Sequence, residues 1–472
     1  MNFSDVLSEG QVERVHAEAE RLLAETGIKV LDEDLLRRCR EAGCAVEPHS
    51  GAVRVPKPLL RELIGRAPRT YAIRGIGGRA FEVGGAQPWG VAIVTDPWIV
   101  DYETQRPRRP RLEDLRRHTI IAEQMDGVAA ISRMDFPVED VPGPASSLRA
   151  LEMHLLHTTK HYYFPSASPE SNGMWMDLMR ILADGNDATQ ARLFSVMVAV
   201  ISPLVFSSVN ADLLRLAAEY NAPVMPTVCP MAGSTSPYTP GGTLLLGHAE
   251  NLAAAALTQI LCPGHPFLYA FGPSVTDLRT GHDLYYTLDK VLWKAAGVQL
   301  AKHVHLPAAA ECGGTMTFRS DPQNGAEGML FMLSAVASGA DILAGFGSCY
   351  CGVGMSAEMM LIQEAWLGAA RHLMRGIDTS ERLLASDRLR EAGPGGAFLT
   401  DPLTLELMRG DGFFKHPLFD RSPAEQEGRG MLERAHERVE EIVSRAVSPV
   451  PASIQEQLRR YFHDTCKKLE CA

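Results

Sequence analysis

Two hydrophobic rhythms divide the chain. Behind a Ser8–Gln11 capping pair, Val12, Val15, Ala19, Leu22 and Leu23 recur every three or four positions, which predicts an opening helix. A second helix is predicted over 32–42, and a third over 57–67, started by Pro56 and stopped by Pro68. Between them 51–55 reads as a short strand. From about residue 90 the rhythm changes to short apolar, β-rich runs, each leading into a longer helical stretch. The runs cover 90–95, 128–136, 161–168, 194–206, 223–231, 266–273, 304–311 and 341–346.

Continuous apolar strands alternating with helices are the pattern of a parallel sheet covered on its outside. Eight such units predict a closed (β/α)₈ TIM barrel, because closure removes the strand edges an open sheet exposes. A doubly wound open sheet is the alternative. Stretches 243–261 and 358–374 are strong interior helices, the first ended by Pro263-Gly264. Past 378 no strand pattern remains, and amphipathic helices are predicted over 424–446 and 453–469. The expected organisation is an N-terminal helical extension (1–85), the barrel (86–377) and a C-terminal helical segment (378–472).

Composition narrows the function classes. At 46% hydrophobic and 22% charged, the 472 residues can bury a large core. A net charge of −11 argues against nucleic-acid binding, which needs a basic footprint. The one arginine-rich stretch, Arg106 to Arg117, is interrupted by Glu113 and Asp114 and reads as solvated surface. No apolar run is long enough to span a membrane, and no secretory signal is visible at the start. Nine scattered cysteines suggest a reducing cytoplasm rather than a disulfide scaffold. A homo-oligomer is expected.

In barrels of this type chemistry sits where strands end and βα loops begin. The strand ends offer carboxylates and aromatics together, which is the equipment for holding a cation. Asp96, Glu311 and Tyr350 are the candidate catalytic groups, with Trp98, Phe136 and Phe271 as candidate walls around a substrate. Cys312, Cys349 and Cys351 end two consecutive strands and could converge on Zn²⁺, although Cys349 and Cys351 are closer in sequence than zinc pairs usually are. The spacing of His154, His157 and His161 lacks the acid of a zinc protease, and the GxGxxA-like stretch 75–80 precedes no helix, so it reads as a turn.

The order of several motifs carries a resemblance. PMAGSTSP at 230–237, the alanine-rich stretch to Leu261 and PGHPFLY at 263–269 resemble the trimethylamine methyltransferase family. So do LLAETGIKVLDEDLLRRCREAG at 22–43, VRVP at 53–56, Ser320-Asp321 through Gly328, and GPGG at 393–396 followed by Phe398-Leu399. The resemblance spans almost the whole chain. It implies a (β/α)₈ barrel that moves a methyl group from a methylated amine or betaine to the cobalt of a corrinoid carried by a partner protein. Some members hold pyrrolysine near the barrel mouth. Here Tyr350 or a neighbouring cysteine stands in that region, so the chain resembles the non-pyrrolysine relatives, some of which act on glycine betaine and similar quaternary amines. Leu403 and Leu407 stand where relatives often carry histidines. Two alternatives remain open on the sequence: a zinc-thiolate methyltransferase using the three cysteines, and a non-catalytic barrel that binds quaternary amines.

Overall fold

The computed structural model describes residues 5–94, 96–132, 138–143, 145–165, 169–410, 412–423 and 428–470. Eight parallel strands form its centre. They are β1 (Trp89–Ile93), β2 (Val128–Ser132), β3 (His161–Pro165), β4 (Phe194–Val200), β5 (Val224–Val228), β6 (Tyr269–Ala270), β7 (Ala308–Glu311) and β8 (Ile342–Phe346). Their order is β5-β4-β3-β2-β1-β8-β7-β6. The ring closes between β5 and β6 through backbone hydrogen bonds from Val224 to Pro266, Leu268 to Val224 and Gly272 to Val228. Each strand leads into a helix, the last being Ala357–Met374, so the chain is a (β/α)₈ barrel rather than an open sheet.

The strands are shorter than the apolar runs that predict them, for local reasons. Pro266 and Pro273 supply no amide donor, and the sixth ladder narrows to Tyr269–Ala270. The seventh run begins late because helix Leu288–His303 extends to its edge. The fourth run breaks after Val200, and its tail, Val205–Phe206, instead pairs in parallel with Ile28–Val30 of the N-terminal segment. That pairing ties the opening segment to the barrel.

The opening helix Glu9–Glu25 begins at Ser8 with both arms of the capping box formed. Further helices lie at Glu33–Glu41 and Lys57–Gly65, and stretch 75–80 is the turn of a hairpin between Tyr71–Arg74 and Ala80–Val83. Helices Met431–Arg445 and Ala452–Glu470 close the chain. One continuous apolar core runs from Val12 and Leu23 through the barrel helices to Leu458 and Phe462. Helix Pro240–Leu261 is buried on nearly every face, which its alanines permit by keeping its radius small. No helix among the described residues is long and apolar enough to cross a membrane.

Two small sheets crown the C-terminal ends of the strands. Ser348–Cys349, Gly354–Met355, Trp98–Asp101 and Arg106–Arg108 form one, joining the loops after β8 and β1. Met231–Ala232, Ser274–Thr276 and Asp283–Leu284 form the other, from the loops after β5 and β6.

Candidate active site

Glu311, the last residue of β7, is the hub of the mouth. Tyr285 donates its phenol hydrogen to Glu311 Oε1 across 2.6 Å. Glu311 Oε2 lies 2.8 Å from the Lys290 ammonium and 3.2 Å from that of Lys294. Both lysines come from helix Leu288–His303, where a spacing of four places them on one face, beside Trp293 and a run of alanines. Lys290 is fully buried and sits over the Tyr285 ring, a cation–π arrangement. Lys294 also donates to the Phe271 carbonyl.

Burial alone would raise the Glu311 carboxyl. The two ammonium groups and the Tyr285 hydroxyl outweigh it and hold the group down at about 2. Burial brings Lys290 down to about 8 against the pull of Glu311. Cys229, just past β5, is pushed up to about 11 by burial and remains a thiol at neutral pH. Gly272 lets these groups meet, because a Cβ there would stand 3.0 Å from Cys229 Sγ and 3.2 Å from the Tyr285 hydroxyl.

Asp96 follows β1 and is 3% exposed. Its Oδ2 meets no hydrogen-bond partner among the described residues, and burial raises its carboxyl well above the usual range. Tyr286 joins it to the Glu311 cluster. The Tyr286 phenol feels the charges of both Glu311 and Asp96 and donates to Ser348 Oγ at 3.1 Å. Its ring packs edge-on against Tyr285, with centroids 5.1 Å apart. Gly314, at φ +118°, makes room for that ring, since a Cβ would lie 2.2 Å from it.

Tyr350 stands on the rim instead. Its amide donates to the Thr317 carbonyl and its ring meets Phe318 edge-on at 5.4 Å. Tyr350, Cys351 and Gly352 all take positive φ, a rare conformation for the first two. The bend delivers Cys351 Sγ to the Tyr285 amide and the Asp283 carbonyl. Tyr350 is thus linked to the hub through its neighbour, not by its own side chain.

Three sequence expectations need correction. Phe271 does not line the mouth. Its ring lies against Gly247 and Gly297, between the barrel and its helices, where a Cβ on Gly247 would come within 2.0 Å of it. Trp98 carries the Arg109 guanidinium over its ring at 4.1 Å, so that face is taken. The three thiols do not converge: Cys312 donates to the Ala344 carbonyl, Cys351 points to Asp283, and Cys349 is buried beside Asp96 and Glu358. Among the described residues no three His, Cys, Asp or Glu side chains could hold one metal ion. Phe136 lies outside the described residues. The residues sequence reasoning passed over are Tyr285, Tyr286, Lys290 and Lys294. Their one signal is a pair of lysines four apart at the buried, mostly apolar stretch 290–298.

The comparisons agree with this architecture. The monomethylamine methyltransferase MtmB of Methanosarcina barkeri has the same fold, with a TM-score of 0.55 and 15% identity over 99% of this chain and 88% of that one. A glycine betaine methyltransferase of Desulfitobacterium hafniense is 26% identical over 94% of this chain and 93% of its own length. The trimethylamine methyltransferase MttB of Methanosarcina barkeri is 25% identical over 95% of this chain and 92% of its own. The family described as trimethylamine methyltransferase (MTTB) matches residues 1–469, and the chain belongs to that family.

Proposed function

We propose that this methyltransferase moves a methyl group from a methylated amine, quaternary or betaine-like, to the corrinoid of a partner protein. The observation that carries the reading is the convergence of Asp96 and Glu311 on Tyr286 at the strand ends, in a chain of this family. The corrinoid supplies the cobalt nucleophile that accepts the methyl group, and no residue of this chain is assigned to holding it. Breaking the N–CH₃ bond leaves the electron pair on nitrogen, so a quaternary donor departs as a neutral amine and needs no proton.

What the chain must do is bind, orient and exclude water. Asp96, buried with no hydrogen-bond partner for its Oδ2 among the described residues, is the acid that a donor ammonium placed beside it would draw into its charged form. Glu311 locks Tyr285 and the lysines so that the donor meets one fixed wall, and Tyr350 closes the rim. The Tyr285–Tyr286 pair takes the wall role expected of Phe271.

The test is methyl transfer to free cob(I)alamin, followed by absorbance, with glycine betaine, trimethylamine and related methylated amines as donors. Transfer from at least one of them is expected. Failure with all of them, both with free cob(I)alamin and with corrinoid proteins of the relatives, would overturn the reading.

A further inference from the structure

Between helix Ala357–Met374 and helix Met431–Arg445 the chain makes a long excursion. From 371 to 417 no described residue is buried. Three helices lie there, Glu381–Leu384, Ser386–Ala392 and Pro402–Leu407, each too short to hold its shape without packing. Arg382 pairs with Glu406 and Arg388 with Asp401, so the excursion folds back on itself, but exposed ion pairs contribute little. The segment has no core of its own to offset the ordering of its backbone.

Its apolar side chains face outward. Ile377, Leu399 and Phe413 are 91%, 83% and 80% exposed. With the leucines and methionines exposed by half or more between Leu373 and Met408, they bare on the order of 1,000 Å² of apolar surface. The largest apolar patch of a typical monomer is about 300–600 Å². One partner in a stable dimer contributes about 800 Å². The surface is also shaped: Leu384, Leu389, Phe398, Met408 and Phe413 line a groove of about 520 Å³, and Ile377 and Leu399 stand outside it.

Two observations select the occupant. The excursion leaves at Met374 and rejoins at Phe414, whose ring lies 5.7 Å from that of His372. Both anchors sit at the far end of helix Ala357–Met374, about 27 Å from its start beside the mouth at 1.5 Å per residue. A corrinoid partner that serves the mouth is not what docks there. Acidic and basic residues also alternate along the excursion, as in Glu381-Arg382, Asp387-Arg388 and Arg390-Glu391. A second copy turned about a twofold axis can set unlike charges opposite one another, which a polyanion or polycation cannot.

We propose that this excursion is a self-association arm. It meets the same arm of a second copy about a twofold axis, and the apolar ridge of each fills the groove of the other. The dimer does not rest on the methyl-transfer reading.

Sedimentation velocity of the full-length chain tests it. The parent is expected to run as a dimer, or as an assembly built of such dimers, at micromolar concentration. Leu399→Asp and Phe413→Asp, each present twice across a twofold interface, should weaken association at least about a hundredfold. Val447→Asp, at an apolar residue 87% exposed elsewhere, should leave it unchanged. Hydrogen exchange on the parent makes the test independent of whether the variants fold: amides of 376–417 should slow as concentration rises through the association midpoint. A monomeric parent, an oligomer untouched by both arm substitutions or equally disrupted by Val447→Asp, or protection of 376–417 that requires an added corrinoid protein, overturns the arm.

Discussion

The Tyr285 hydroxyl donates to Glu311 Oε1 across 2.6 Å, while the opposite carboxylate oxygen is held by two lysines. Glu311 is therefore gripped on both oxygens by residues from a single loop and helix, and its position is fixed before any ligand arrives. Tyr285→Phe removes one grip and little volume. We expect methyl transfer to fall about ten- to a hundredfold, the scale of a hydrogen bond to a charged group. Steady-state kinetics on the full-length enzyme would show it, and an unchanged kcat/KM would mean that the grip is irrelevant to the reaction.

The same grip sets a pH dependence of stability. Glu311 lies at about 2 in the fold, against 4.5 as its ordinary value. Its contribution, about 3 kcal/mol at about 1.4 kcal/mol per unit, is present above pH 4.5 and lost as pH falls from there towards 2. Denaturant titrations at falling pH should show a shallower loss for Glu311→Gln than for the parent. Equal slopes would contradict the assignment.

Lys290 runs the other way. Its ammonium is brought from 10.5 to about 8, so the penalty for burying it is complete below pH 8 and relieved as pH rises from 8 to 10.5. Denaturant titrations from pH 7 to pH 10 should therefore show stability rising more for the parent than for Lys290→Met. Equal slopes would contradict the burial penalty.

Phe271 is a packing residue, and its substitution should read as one. Phe271→Ala leaves a hole between β6 and helices Pro240–Leu261 and Leu288–His303, at a cost of about 3–5 kcal/mol. The ratio of kcat/KM between quaternary and tertiary donors should stay the same. A change in that ratio without a drop in melting temperature would restore Phe271 to the substrate wall.

A histidine cluster docks the opening helix. His16 Nδ1 lies 3.1 Å from His248 Nε2, His303 stacks edge-on against His16 at 4.9 Å, and His248 also meets the Tyr269 hydroxyl. Burial lowers both His16 and His248 below 6.5, His248 far below, so the fold holds them neutral. Their contribution is full above pH 6.5 and is lost as pH falls below it, when the unfolded chain takes up protons first. Hydrogen exchange in helix Glu9–Glu25 should therefore speed up between pH 7 and pH 5.5 more than in the barrel strands. Uniform exchange across the molecule would refute the local effect.

Some of this was legible without coordinates. The eight apolar runs and their intervening helices specify a covered parallel sheet, because backbone groups buried on both faces demand continuous apolar strands. The Ser8–Gln11 capping pair placed the first helix, and Pro56 the third. Strand ends were less well placed at the fourth, sixth and seventh runs, where a local break, flanking prolines or a long helix shortened the ladders. Within the site, Asp96 and Glu311 could be named because barrel strands deliver their last residues to one end. Tyr285, Tyr286, Lys290 and Lys294 could not, since they belong to the loop and helix after β6 and reach the mouth by folding back over it.

Periodicity and motif order along the chain were enough for the class of fold and for the family. Which side chains meet at the C-terminal ends of the strands depends on packing between distant segments. Phe271 turned outward into the space left by Gly247 and Gly297, Arg109 covered Trp98, and the three thiols took separate backbone partners. Direction of a side chain at a strand end is set by what packs beside it, and a sum of such local contacts cannot be read from one chain in a line.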